Sequence, residues 1–167
     1  MVELVDIVDG TDRVVAVADR PEAHLAQLLH RIVAVIAVDH QGQIVVQVRK
    51  LDGLYDASVG GHVSSGENYL QAATREAEEE LGLRCPLEYI DTVIVNERSG
   101  ARHRLGLFTC EVGTDWSFAP TDEVDEVFLL TAAELSQRMT RYPESFTNGF
   151  LAAFTAWGAF SRKAPRG

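Results

Sequence analysis

Glu76, Glu79 and Glu80 have the spacing i, i+3 and i+4, which puts them on one face of a helix if residues 69–81 are helical. Like charges on one helix face repel each other, so the arrangement favours a cation between them. Carboxylate oxygens are ligands that Mg²⁺ and Mn²⁺ prefer in proteins. The spacing therefore predicts a divalent-cation site on this helix.

Arg75 precedes this cluster and lies three residues before Glu78 and four before Glu79. Its planar guanidinium group can hold a carboxylate in one rotamer through paired hydrogen bonds. The alternative is that the acidic run is only a solvated helix face, as most glutamate runs are. A solvated face explains neither Gly61 nor the fixed spacing to Glu67, so a functional site is favoured.

The segment resembles the Nudix box: glycine, five residues, glutamate, seven residues, then Arg-Glu-U-x-Glu-Glu-x-Gly-U, where U is a large aliphatic residue. One position departs from the pattern: Ala77 stands where the pattern has Ile, Leu or Val. Alanine would still face the core but fill less of it. The matching residues are Gly61, Glu67, Arg75, Glu76, Glu79, Glu80, Gly82 and Leu83. The resemblance implies a metal-dependent hydrolase of phosphoanhydride bonds.

The resemblance also assigns roles within the box. It implies that Mg²⁺ or Mn²⁺ is bound by Glu76, Glu79, Glu80 and the carbonyl group of Gly61. Arg75 would orient Glu76 or Glu79, and Glu67 would brace the loop against Arg75 or join the water shell of a further ion. Glu79 is one candidate for the general base, and the predicted catalytic residues are Glu79, Arg75 and Glu67. Other candidate bases lie outside the box: Glu97, Glu123 and Glu126.

Substrate contacts are predicted outside the glutamate cluster. Arg49 and Lys50 follow a strand on the side of the glycine loop, where they could steer a phosphate or simply be solvated. His62 flanks the loop and could touch substrate or metal. Tyr55 and Trp116 could stack a nucleobase, although aromatic residues in loops more often cover the core.

The implied substrate is a small-molecule phosphate ester: a nucleoside diphosphate linked to another group. Two other functions use the same fold, namely a non-catalytic ligand sensor and an RNA-decapping enzyme. A sensor would tolerate loss of the metal glutamates, and all of them are present. RNA binding requires a basic surface that this sequence does not supply.

The segments RPEAHLAQLLHR and SVGGHVSSGE are similar to the Nudix branch that includes isopentenyl-diphosphate isomerase. Isomerases of that branch use a cysteine just before the loop glycine and a downstream glutamate as opposing acid and base. Gly60 stands at the cysteine position, and the strand ARHRLGLF carries His103 and no carboxylate. Without both proton-transfer groups a double bond cannot be moved, so hydrolysis is favoured over isomerisation.

Histidines form a second point of similarity to the isomerases, which bind their metal through histidine. His30 and His62 match two of these ligands and His24 roughly matches a third. A plainer interpretation of His30 is a partly buried imidazole with its hydrogen bonds satisfied.

The chain has 167 residues and a formal net charge of −10. This length suits a single Nudix domain over 1–167, with a hairpin and short helix at 1–29, the core at 30–161 and a tail at 162–167. The acidic charge argues against binding a nucleic acid polymer or a membrane surface. It would also repel a phosphate substrate, unless cations at the glutamates offset it locally.

Localisation is predicted from cysteines and from the N-terminal residues. Cys85 and Cys110 are too few for a disulfide framework and suit a reducing compartment. The opening residues lack the basic and apolar regions of a signal peptide, and no apolar run reaches the length of about 18 residues that a membrane span needs. The expected location is the cytoplasm.

Hydrophobic periodicity and turn residues predict an α+β fold, in which helices cover both faces of the sheet. The Nudix resemblance implies a mixed sheet sandwiched between helices, with an N-terminal β-hairpin whose exposed strand could pair across a homodimer. Strands are predicted at 4–8, 13–18, 32–38, 43–48, 57–59, 87–96, 103–111 and 124–130. Helices are predicted at 21–29, 69–81, 131–139 and 146–160.

Overall fold

The computed structural model describes residues 3–163. Nine strands and four α-helices are found in this range. In chain order they are β1 Leu4–Val8, β2 Val14–Asp19, α1 Arg20–Leu25, β3 His30–Val38, β4 Ile44–Arg49, β5 Tyr55–Asp56, β6 Val59–His62, α2 Tyr69–Leu81, β7 Glu88–Asn96, β8 Arg102–Glu111, β9 Val124–Leu130, α3 Ala132–Arg141 and α4 Asn148–Lys163.

Strand β3 organises the sheet. It pairs with β6 in the antiparallel direction and with β8 in the parallel direction, and its ends contact β1 and β4. β7 extends the sheet beyond β8, while β5 and β9 pair with β4. The sheet is mixed because β3–β8 is parallel whereas the other pairs of described strands are antiparallel.

Alternate residues of β3 enter two separate cores. Val33 and Val35 pack with the buried alanines of α2. Ala34 and Ile36 point the other way and pack with Phe150 of α4 and with α3. A strand buried on both faces reads as a continuous apolar run, as the sequence HRIVAVIAV does. The predicted α+β sandwich with its mixed sheet is confirmed.

The ends of α2 are fixed by local chemistry. The Asn68 side chain accepts a hydrogen bond from the Gln71 backbone N–H, and the Gln71 side chain accepts one from the Asn68 N–H, each at 2.9 Å. The helix ends at Gly82, whose φ of 62° lies in the left-handed region that glycine adopts at little cost. These two ends set where the glutamates of α2 lie along the sheet.

Several predicted boundaries are wrong. α1 stops at Leu25 instead of residue 29, because Gln27 takes a left-handed φ of 54° that a helix cannot accommodate. Gly60 and Gly61 belong to strand β6 and not to a loop. α4 begins two residues later than predicted and runs to Lys163, into the predicted tail. The remaining tail, residues 164–167, lies outside the described residues.

Candidate active site

An open cleft of about 1250 Å³ is lined by residues of α1, α2, several strands of the sheet and the start of α4. The cluster Glu76, Glu79 and Glu80 forms part of its wall, together with Gly60 and Gly61 of β6. The sequence predicted that the three glutamates share a helix face, and all three line this one cleft. Their environments differ, because α2 packs against β6 along one edge of that face.

Glu80 is the most firmly held of the three. It is buried, and its Oε2 accepts hydrogen bonds from the backbone N–H of Gly60 at 3.0 Å and from Nε2 of Gln47 at 3.2 Å. Burial raises the pKa of Glu80 to about 8, although the Gly60 N–H favours the ionised form. Both hydrogen bonds reach Oε2, and Glu80 is part of the cleft lining.

Glu76 is also buried and lies directly against Gly61. A Cβ atom added to Gly61 would overlap the Glu76 carboxyl group, so a larger residue here would displace that side chain from its present position. Burial raises the pKa of Glu76 to about 7, against the lowering effect of the Arg75 guanidinium. Glu79 differs from both, because 60% of its side chain is exposed to the cleft.

Arg75 connects the glutamates to the preceding loop. Its Nε and Nη2 donate to the two carboxylate oxygens of Glu67 at 3.0 and 2.9 Å. Its Nη1 donates to Glu76 at 2.7 Å and to Glu79 at 3.2 Å, and Nη2 also donates to the carbonyl of His62 at 3.1 Å. The guanidinium lowers the pKa of Glu67, whose other contact is the Ser64 N–H.

Replacing Arg75 with lysine is expected to lower kcat/KM by about 10–100-fold, the usual cost of losing an outer-shell partner of a metal ligand. A lysine ammonium cannot bond both oxygens of Glu67 while also reaching two further carboxylates. Steady-state kinetics as a function of Mg²⁺ concentration would measure the change. The matched control is Arg84→Lys, since the partner of Arg84 in the described part of the chain is the exposed Glu78. Equal losses in both variants would contradict a positioning role for Arg75.

The carboxylate cluster fits a divalent cation. Two buried carboxyl groups with raised pKa values and a third carboxylate face one cleft, and Arg75 supplies the positive charge in direct contact with Glu76 and Glu79. Oxygen ligands of this kind suit Mg²⁺ or Mn²⁺. The residues that would hold such an ion are Glu76, Glu79 and Glu80, with the Gly61 carbonyl as the fourth predicted group.

The predicted substrate residues also line the cleft. Arg49 forms ion pairs with Asp52 at 3.3 Å and with Asp56 at 3.8 Å. Lys50 Nζ donates to the Thr121 carbonyl at 2.5 Å. His62 lies at the end of β6 and its ring faces other histidines; burial lowers its pKa to about 2.

The remaining predicted candidates divide into two groups. Glu97 and Glu123 line the cleft, whereas Glu126 on β9 lies outside its lining. Tyr55 packs against Phe146 and Phe128. Trp116 donates to the carbonyl of Leu81 at 2.9 Å and packs on the core. Neither aromatic residue is part of the cleft lining, and their packing supports the alternative that they cover the core.

Sequence reasoning missed several polar residues of the cleft, among them Gln47, Asp56 and Arg98. Gln47 is buried in β4 and holds Glu80. Asp56 accepts from the Thr147 hydroxyl at 2.7 Å, and burial raises its pKa. A glutamine inside the apolar strand IVVQVR was a visible signal for Gln47. Asp56 offered no such signal, because acidic residues in connecting segments are common.

Comparisons with known proteins agree with the geometry. The NUDIX domain model matches residues 28–149. An uncharacterized Nudix hydrolase of Yersinia pestis is 35% identical over 162 residues, covering 94% of this chain and 86% of the relative. An isopentenyl-diphosphate Delta-isomerase of Pectobacterium atrosepticum is 32% identical over 172 residues, covering 96% of each. The solved MutT NUDIX hydrolase of Burkholderia pseudomallei has a TM-score of 0.62 at 19% identity, covering 77% of this chain and 97% of that one.

The mixed sheet between helices, with the glutamates of α2 beside a cleft, is a Nudix fold. The similarity to the solved structure, at 19% identity, is evidence for the fold and not for the activity. The chain belongs to the Nudix family and is a hydrolase of that family. The predicted resemblance is confirmed, including the similarity to a relative that carries the isomerase name. Nudix hydrolases generally use divalent metal ions and act on small-molecule substrates.

Proposed function

We propose that the protein hydrolyses the phosphoanhydride bond of a nucleoside diphosphate linked to another group, using Mg²⁺ or Mn²⁺. The observation that carries this proposal is the set of three α2 carboxylates in one cleft, two of them buried and fixed by neighbouring donors. The reaction consumes one water molecule and yields two phosphate monoesters. A bound divalent cation supplies charge neutralisation at the phosphate oxygens and favours ionisation of the attacking water.

The protein's own residues do the positioning. Gly60 and Gln47 hold the Glu80 carboxylate, and Arg75 holds Glu76 and Glu79. Fixed ligands matter because phosphoryl transfer depends on alignment of nucleophile and leaving group. Glu67 keeps Arg75 in place through its paired hydrogen bonds.

Glu79 is proposed as the general base. Its side chain is the exposed one of the three, and among the described residues its carboxylate accepts one side-chain hydrogen bond, from Arg75 at 3.2 Å. One carboxylate oxygen therefore remains able to accept a proton from water in the cleft. Glu97 and Glu123 line the same cleft and are the other candidates.

Basic residues at the cleft support a phosphate substrate despite the net charge of −10. Lys50 and Arg98 bond only to carbonyl groups, so within the described residues neither charge is neutralised by an ion pair. Arg49 is shared between two aspartates and is a weaker candidate. We assign phosphate steering mainly to Lys50 and include His62 as a predicted contact.

The test is a panel of nucleoside diphosphates, dinucleotides and nucleotide sugars, assayed with Mg²⁺ and then with Mn²⁺. Cleavage of one phosphoanhydride bond into two phosphorylated products, with oxygen from labelled water in one of them, is the expected result; for a nucleotide sugar these are two phosphate monoesters. A panel with no turnover, together with ligand binding that Glu79→Gln does not change, would favour a non-catalytic sensor.

The isomerase alternative keeps one supporting observation besides the relative's name. The carboxylate of Glu97 lies 3.6 Å from Nδ1 of His103. It therefore lies close to β8, whose segment ARHRLGLF carries no carboxylate of its own. Gly60 still provides no thiol opposite it, so the second proton-transfer group is lacking at that position. Isopentenyl diphosphate belongs in the panel, and double-bond migration would establish this alternative.

We also propose a cytoplasmic location and a homodimeric assembly. No described helix is both long and apolar enough to cross a membrane. Cys85 and Cys110 are free thiols, which supports a reducing compartment such as the cytoplasm. β2 pairs with β1 and exposes Val14, Val15 and Val17, and its outer edge is the proposed place for pairing in a homodimer.

A further inference from the structure

The N-terminal hairpin, formed by β1 and β2, lies against the Nudix box as well as against the sheet. Val5 and Ile7 of β1 pack with α1 in a small apolar core. Successive side chains of a strand point to opposite faces, so Asp6 points the other way. It reaches the loop of residues 63–68, which joins β6 to α2. This side chain therefore connects the hairpin to the part of the box that carries Glu67.

Asp6 is buried, and the loop supplies most of its hydrogen bonds. Its Oδ1 accepts from the Ser65 hydroxyl group at 2.6 Å, and its Oδ2 accepts from the Gly66 backbone N–H at 3.3 Å. Arg31 Nη1 adds a longer ion pair with Oδ2 at 3.9 Å. A buried carboxylate is costly unless donors reach it. The loop is therefore favoured in the position where its two donors meet Asp6.

Backbone contacts fix the same strand against the same loop. The Ser65 N–H donates to the Leu4 carbonyl at 2.8 Å, and Val5 and Ser64 form an antiparallel bridge. The main chain of β1 and one of its side chains thus hold residues 64–66 together.

Glu67 follows directly after these residues. Its backbone N–H donates to the Ser64 carbonyl at 2.9 Å, and its Oε2 accepts from the Ser64 N–H at 3.0 Å. Its two carboxylate oxygens accept from Arg75, which in turn donates to two of the α2 glutamates. A short series of hydrogen bonds and adjacent backbone groups thus joins Asp6 to the carboxylates proposed as cation ligands.

A second contact of the hairpin reaches the start of α2. Asp12 lies in the turn between β1 and β2, and its carboxylate accepts from Arg31 Nε at 2.7 Å and from the Tyr69 hydroxyl group at 3.2 Å. Tyr69 is the first residue of α2. The hairpin therefore contacts the box both in its loop and at the start of its helix.

We propose that Asp6 is a positioning residue for the hydrolysis, acting through the box loop on Glu67 and hence on Arg75. This role rests on the proposed function, since it requires the reaction that the α2 glutamates support. Glu67 presents both carboxylate oxygens to the Arg75 guanidinium group, and this paired geometry depends on where the loop places its backbone. The hairpin is then part of the active-site scaffold and not only an edge of the sheet.

The test begins with Asp6→Asn. Asparagine keeps the shape of the side chain, but its NH₂ group cannot accept, so one of the two loop donors loses its partner. We expect Mn²⁺ affinity, followed by electron paramagnetic resonance of the free ion, to fall about 10-fold. The same factor is expected for kcat/KM, at the lower end of the cost of losing an outer-shell partner of a metal ligand. Ser65→Ala removes only the hydroxyl donor and should lower both quantities in the same direction.

A Glu67→Gln background separates positioning from folding. If Asp6 acts through Glu67, Asp6→Asn should cost little further Mn²⁺ affinity or kcat/KM once Glu67 has been replaced, because residues that act together are not additive. The effect of Asp6→Asn on the urea midpoint should persist in both backgrounds, since the lost hydrogen bond does not involve Glu67. Fully additive losses of Mn²⁺ affinity and kcat/KM would overturn the proposal.

Asp9→Asn is the matched control in the same hairpin. Asp9 Oδ1 accepts from Thr11 and from the Arg13 N–H within the turn, and among the described residues none of its hydrogen bonds reaches the box. Asparagine also forms turns of this kind, so Mn²⁺ affinity and kcat/KM should stay within about twofold of wild type. Losses equal to those of Asp6→Asn would show a general effect of the hairpin and overturn the role of Asp6.

Two results distinguish failure of this role from failure of the proposed function. Wild-type Mn²⁺ affinity and kcat/KM in both Asp6→Asn and Ser65→Ala would overturn the positioning role alone. A wild-type chain that binds no Mn²⁺ and turns over no substrate of the panel would overturn the proposed hydrolysis and the positioning role with it. Because Ser65 is exposed, its variant keeps the test decisive even if Asp6→Asn folds poorly.

Discussion

Replacing Glu79, the proposed general base, with glutamine is expected to lower kcat by about 10²–10⁴-fold, the range for removal of a general base. Glutamine keeps the shape of the side chain and can still accept the hydrogen bond from Arg75, so the cleft should stay intact. KM should change little, because the base acts mainly in the transition state. Steady-state kinetics on the panel substrate with the highest turnover would measure both constants.

Glu78→Gln is the matched control for this experiment. Glu78 neighbours Glu79 on α2, but it pairs with exposed Arg84 away from the cleft. Its substitution removes the same charge from the same helix and should leave kcat within about twofold, since surface changes of this kind usually shift free energies by less than ~0.5 kcal/mol. If Glu79→Gln retains full kcat, the base must be sought at Glu97 or Glu123.

Gly61→Ala is expected to lower kcat/KM by about 100-fold, the cost that a misplacement near 1 Å can carry. The new Cβ would overlap the Glu76 carboxyl group and force it away from Arg75. Overpacking at this buried contact should also lower the free energy of unfolding by about 1–3 kcal/mol. Kinetics and urea unfolding measure the two effects separately.

Gly60→Ala supplies the comparison at the adjacent position. A Cβ on Gly60 would meet nothing closer than 3.9 Å, and the backbone N–H that donates to Glu80 is retained. Activity and stability should therefore stay near wild type. Similar losses in both variants would mean that β6 tolerates no side chain at all, and the specific clash with Glu76 would not be the cause.

Local chemistry explains why the main elements could be predicted. The apolar run of β3, the capping residues of α2 and the Thr131–Glu134 capping box of α3 each act within a few residues of chain. The predicted boundary of β6 was wrong because a contact distant in sequence sets where this strand ends. Gly60 and Gly61 are strand residues because β3 pairs with them, and no local turn signal can reveal that pairing.

The candidate site likewise has features that the sequence predicts and features that depend on long-range contacts. Helical spacing alone is enough to put Glu76, Glu79 and Glu80 on one face. Spacing could not show that Glu80 would meet Gln47, which is 33 positions away in the chain. It also could not show that Glu79 stays exposed while its two neighbours are buried, because burial depends on which strand covers the helix.

The amino-acid sequence by itself determined the box, its family and the shared face of the three glutamates, because those features depend on residue type and on the geometry of one helix. Only the tertiary structure decided which carboxylate is free, and only it brought His103 to His30 and His62. Those histidines lie on three different strands, so their meeting depends on strand order and register, which long-range pairing sets.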